Sequence, residues 1–125
     1  MDAGKIYNSW PLMGNTYFPN DNYILDLLKL SAFSDPSLVQ FIHRNLAYLI
    51  VIFYCLIFYK IYKNKLHELY RSINLLGYFV ILQIVLGIFT ILYGAQIHIA
   101  SMHQISSIFL VSSSIYFYFI NTKFN

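Results

Sequence analysis

Charge is scarce in this sequence. Only 10% of its 125 residues are Asp, Glu, Lys or Arg, while 58% are hydrophobic. An ordinary soluble domain carries about 25% charge, so a water-facing globule is excluded and most of the surface must meet lipid. The single cysteine, Cys55, lies inside an apolar run, which excludes an intrachain disulfide and a cysteine-based metal cluster. Basic residues are few and form no stripe with the aromatics, so nucleic acid is not an expected partner. The apolar runs hold no paired carboxylates for proton transfer, no glycine-rich phosphate loop precedes a helix, and no Ser, His and Asp set shares a depth.

What is present is three long apolar runs, at 38–62, 73–93 and 97–120. About 20 residues suffice to cross the hydrocarbon as a helix, and lipid offers a bare backbone no hydrogen bonds. Each run therefore predicts a transmembrane helix despite its β-branched and aromatic content, and the expected fold is an all-α membrane protein. Over the connection 60–72, Lys60, Lys63, Lys65 and Arg71 stand against a single Glu68, which assigns that connection to the inner side. Residues 1–37 and the turn at 94–96 then lie outside. Tyr59, Tyr62, Tyr70, Tyr116 and Tyr118 fall near the inner interface, where amphipathic rings are favoured.

Within 1–37, Gly4, Pro11, Gly14 and Pro19 punctuate a stretch without periodicity, which reads as an ordered loop. Residues 23–33 predict a short amphipathic helix on the outer interface, with Asp26 and Lys29 on its polar side. Ser34 or Asp35 is placed to cap the first span, with Pro36 in its first turn, where a missing N–H costs nothing. An outside amino terminus at Met1 with no signal peptide and no preceding span is unusual for a polytopic protein. The expectation is a piece of a longer chain.

Histidines carry the candidate chemistry. His67 reads as a solvated residue of the basic connection and His98 as an outer-interface residue. His43 and His103 lie about one and a half turns into the first and third spans, which run in the same direction, so they stand at matched depth. Polar groups in a span are expensive and functional by default. An interhelical hydrogen bond explains either histidine alone; the matched pair favours one metal held from opposite sides, as the axial ligands of a heme hold iron. Small residues Ala47, Ala100, Ser106 and Ser107 near the pair leave room for a flat guest. Arg44 has two readings, a side chain that snorkels to the interface or a bidentate partner for a heme propionate. Gln40 and Gln104 could orient ligands or anchor at the interface. In the second span, Gln83, Gly87, Thr90 and Gly94 form one stripe, read as a helix-packing surface with Gln83 bonding across it.

The segments DAGKIYNSWPLMG at 2–14, VQFIHRNLAY at 39–48, QIVLGIFTILY at 83–93 and MHQ at 102–104 together resemble the heme A synthase family along nearly the whole chain. The resemblance implies an eight-helix bundle of two four-helix halves, of which this chain is similar to the second half without its first helix, residues 1–4 matching the end of that helix. It implies oxidation of a ring methyl of heme O to the formyl group of heme A for cytochrome oxidase, with a b-type heme in this half. His43 and His103 would be its axial ligands. Its implied setting is the bacterial or mitochondrial inner membrane, with the heme towards the outer face. Implied partners are the missing N-terminal half or a second copy, heme O synthase and an electron donor. Without the first half's histidine pair, the chain alone is expected to be inactive. The alternative is a non-enzymatic bis-histidine b-type cytochrome that passes electrons.

Overall fold

The computed structural model describes residues 3–124, in which every regular element is helical. Met1 and Asp2 lie outside these residues, and with Asp2 the first residue of the 2–14 segment. A single turn, α1 (Ala3–Ile6), precedes a long loop and three long helices, α2 (Pro36–Lys63), α3 (Tyr70–Leu92) and α4 (Ile97–Phe124). All three are long and apolar enough to cross a membrane, and the protein is an all-α membrane protein.

Local chemistry sets the helix ends. Asp35 is the residue that caps α2, its carboxylate accepting the Leu38 N–H at 2.9 Å, with Pro36 directly behind it. At the other end Lys65 adopts φ 54° while the Leu66 N–H reaches back to the Ile61 carbonyl at 3.1 Å, which stops the helix and turns the chain. The turn after α3 uses two left-handed residues in succession, Gly94 (φ 62°) and Ala95 (φ 55°), and the Ala95 N–H closes on the Thr90 carbonyl at 2.7 Å.

Two expectations are corrected. The basic residues do not share a loop: Lys60 and Lys63 belong to the last turns of α2 and Arg71 to the first turn of α3. For the lysines this is the helix end at which cations are favoured. The amphipathic helix is replaced by two 3-10 turns, Ile24–Leu28 and Leu30–Phe33, separated by Lys29 in an extended conformation. A three-residue period eclipses positions 26 and 29. Asp26 uses this by accepting the Tyr23 N–H at 2.9 Å and pairing with Lys29 at 2.7 Å. Leu25, Leu28, Leu30 and Phe33 remain exposed beside these turns.

The buried apolar core sits at the basic end, where Ile61, Leu69 and Ile73 pack beneath Phe58, Tyr70 and Phe117. Tyr62 and Tyr70 stack face to face at 4.3 Å, so these two rings serve packing between α2 and α3, while Tyr59 and Tyr118 are exposed. At Gly77 an added Cβ would overlap the Tyr54 hydroxyl, and glycine is what lets that ring lie against α3. Helices α3 and α4 form a tight antiparallel hairpin; α2 meets α3 more sparsely and does not pack as a close pair with α4.

Candidate functional site

The histidine end of the bundle is assembled by residues 4–14, which act as a strap between α2 and the α3–α4 turn. On one side, an added Cβ at Gly4 would come within 2.9 Å of the Ala95 Cβ, so glycine allows α1 to lie on that turn, and Asn8 lies against Gly94. On the other side, the Tyr7 carbonyl accepts Gln40 Nε2 at 3.0 Å and Arg44 Nη2 at 3.1 Å. Arg44 Nη1 also donates to the Leu12 carbonyl at 3.1 Å. Met13 is buried below this layer, and the rings of Tyr17 and Phe18 meet Phe41 edge-on.

Arg44 is turned onto the strap rather than out to the interface. It is only 5% exposed, two of its nitrogens are held by backbone carbonyls, and Nε is buried without a partner. Gln40 is likewise buried on the strap, and its Oε1 has no partner. Gln104 is exposed. Tyr7, which sequence reasoning passed over, is the hub of the strap.

The hydroxyl of Tyr7 extends the clamp by donating to Asp21 at 2.9 Å, and Asp21 accepts the buried Ser37 hydroxyl of α2 at 2.6 Å. Burial pushes the Asp21 carboxyl up, but the bonds from Ser37 and Tyr7 outweigh it and hold the pKa below the ordinary 3.8. A carboxylate with a depressed folded pKa lends stability above its unfolded value and loses it as pH falls through the folded value. Acidification through that window, below about pH 3.8, is therefore expected to loosen the strap. Trp10, the only tryptophan, reports it: its emission should shift on acidification in the native chain and stay constant in D21N. Equal shifts in both would assign the acid response elsewhere.

His43 and His103 are brought together across the space between α2 and α4. Measured from the helix starts at Pro36 and Ile97, they lie about 10 Å and about 9 Å along their axes. Their ring centroids are 6.3 Å apart and their planes cross at 81°. His103 is half-buried and its Nδ1 is buried with no hydrogen-bond partner. A Cβ added at Gly87 would sit 3.1 Å from His103 Cε1, so α3 leaves the imidazole its place. Gln83 fixes the backbone beneath, donating to the His103 carbonyl at 3.1 Å and accepting the Ser106 hydroxyl. Of the expected packing stripe, Gln83 bonds across to α4 and Gly87 faces the His103 ring, while the Thr90 hydroxyl bonds Leu86 of its own helix and Gly94 lies against Asn8 of the strap. His98 and His67 are exposed and stand away from the pair, His67 against Tyr70.

The donor set limits what these two rings can hold. Among the described residues no group of three or more His, Cys, Asp and Glu side chains comes together, and two imidazoles leave a zinc ion half-coordinated. A heme brings four nitrogens of its own and needs only two axial ligands. With a metal about 2 Å from each ligating nitrogen and each ring centre about 1 Å beyond it, opposed imidazoles stand about 6 Å apart. The observed 6.3 Å and the orphaned Nδ1 of His103 fit that arrangement.

The family model for cytochrome oxidase assembly proteins (COX15-CtaA) matches residues 1–115. The chain is similar to the heme A synthase of Pelagibacter ubique, 41% identical over 113 residues that cover 90% of this chain and 33% of the relative. It is 38% identical to that of Roseobacter denitrificans over 104 residues, 83% of this chain and 27% of the relative. It is 40% identical to that of Rickettsia felis over 130 residues, 96% and 35%. The chain thus spans about a third of the length of the curated relatives it matches. No solved structure matches it.

Proposed function

The chain belongs to the cytochrome oxidase assembly protein family, and from that premise we propose that it is the heme-holding part of a heme A synthase. In this reading the reaction is the oxidation of a ring methyl of heme O to the formyl group of heme A, with the oxygen atom and the oxidant supplied from outside this chain, and the chain's share is to hold a b-type heme on His43 and His103. The observation that carries the reading is the crossed imidazole pair, 6.3 Å between centroids, with one buried ring nitrogen left without a partner. An unmade buried hydrogen bond costs about 1–3 kcal/mol, a cost that a ligand at that imidazole would offset.

A bound heme supplies one-electron chemistry at its iron. The chain's own residues position it. His43 and His103 each offer a ring nitrogen; Gly87 leaves room for the His103 ring, and Gln83 holds its backbone. The strap fixes α2 one residue beyond His43, through Arg44. Arg44 is thereby a positioning residue, and Nε is the one nitrogen of its guanidinium with no protein partner. The excess of Lys and Arg near 60–71 supports a heme site towards the outer face of an inner membrane. The complementary half of the reaction, including the binding of heme O, falls to a second helical half beyond residues 1–125, with a separate electron donor.

Product analysis tests this function. Cells that make heme O, express this chain and are supplied with the complementary half are expected to yield extractable heme A. The H43A variant should yield none. Retention of heme by the chain with no heme A formed under any of these conditions would leave an electron-passing cytochrome and remove the synthase reading.

A further inference from the structure

The heme reading leaves unused the opposite end of α2. There Leu56, Tyr59, Lys60, Lys63 and Asn64 line a groove of about 430 Å³. Positions 56, 59, 60 and 63 share one face of the helix, since residues three and four apart are neighbours. The same face continues towards mid-membrane as Ile52 and Phe53, which are 55% and 56% exposed and wholly apolar. A lipid-facing apolar stripe therefore ends in two ammonium groups, a phenol and an amide.

Among the described residues the charges in the groove have no protein counterion. Lys63 Nζ sits over the Tyr59 ring at 5.4 Å, which holds it at the groove. Neither Lys60 nor Lys63 pairs with a carboxylate among the described residues, where the ion pair observed is Asp26 with Lys29, in the loop that precedes α2. Like charges three residues apart on a helix repel each other. An anion between them relieves that repulsion, and basic residues at the membrane end of a helix attract anionic lipid headgroups.

We propose that this groove binds one anionic phospholipid, with its phosphate between Lys60 and Lys63, the Asn64 amide as a further donor, and an acyl chain along Leu56, Phe53 and Ile52. The apolar stripe commits the site to a lipid over a free phosphate. The proposal is independent of the histidine pair.

Native mass spectrometry of the chain released from nanodiscs of equal phosphatidylglycerol and phosphatidylcholine is the test. One phosphatidylglycerol is expected to stay bound. The K60Q/K63Q double variant should lower that retention about tenfold or more, while K60R/K63R keeps it. R71Q, which removes a neighbouring charge outside the groove, should change it little. Three results would overturn the site: equal retention of both lipids, an R71Q loss as large as that of the double variant, or removal of the lipid by millimolar inorganic phosphate. Helicity by far-UV circular dichroism separates lost binding from lost folding, and K60R/K63R binding like the double variant would also reject the proposal.

Discussion

Replacing either His43 or His103 by Ala is expected to abolish the Soret absorbance of the purified chain reconstituted with heme. With only two imidazoles facing each other across the α2–α4 space, no other histidine can take over: His67 and His98 are exposed and apart from the pair. Altering a residue that merely supports a metal ligand lowers affinity about 10–100-fold, and deletion of the ligand itself should exceed that range. H98A is the matched control and should retain the full band. A band of undiminished intensity in both H43A and H103A would return the two histidines to interhelical packing. Circular dichroism must accompany the spectra, although His43 is exposed and its truncation leaves no buried cavity.

The second large effect is expected from R44A, on the attachment of the strap. Hydrogen bonds to charged groups contribute about 1.5–3 kcal/mol each, and Arg44 makes two, to Leu12 and Tyr7. The two carbonyls are not stranded by its removal, because Tyr7 keeps Gln40 and Leu12 keeps the Ser9 hydroxyl. We therefore expect a loss of about 2–3 kcal/mol in strap docking, at or just below the low end of the sum. Limited proteolysis in detergent reads it as cleavage within residues 4–14 at a rate tens of times that of the native chain. R44K, which lacks the planar fork needed to reach both carbonyls, should fall between. If R44A resisted protease as the native chain does, the strap would be held by its other contacts.

The three long helices were legible because the bilayer leaves the backbone no other choice, and the Asp35–Pro36 start was legible because a cap is a local arrangement. The matched depth of His43 and His103 followed from helical rise alone. The destination of Arg44 was not legible. Its partners are main-chain carbonyls more than thirty residues earlier in the chain, and a carbonyl exists at every position, so it leaves no mark in the sequence. The same holds for Tyr7, whose working atom towards α2 is its backbone oxygen. Residues 23–33 have the apolar and polar spacing of an α-helix, yet Asp26 folds back on the Tyr23 N–H and the backbone closes on the shorter repeat. Asp competes for local backbone donors in this way, and that tendency was the available signal. Gly87 was seen as part of a packing stripe; that its neighbour would be the imidazole of His103 required the register between α3 and α4.

Helix α2 touches the rest of the molecule mainly near its two ends, at the aromatic cluster around Ile61 and at the strap around Arg44. Between them Leu46, Leu49, Ile50 and Phe53 are about half exposed. Mechanically this is a beam held near both ends, with Tyr54 seated against α3 as an inner support, which bends most away from its supports and least beside them. His43 is one residue from a support. The stiffest part of the α2–α4 gap is thus where the proposed iron ligand stands, and the most compliant part lies deeper in the membrane, where lipid bears directly on the helix.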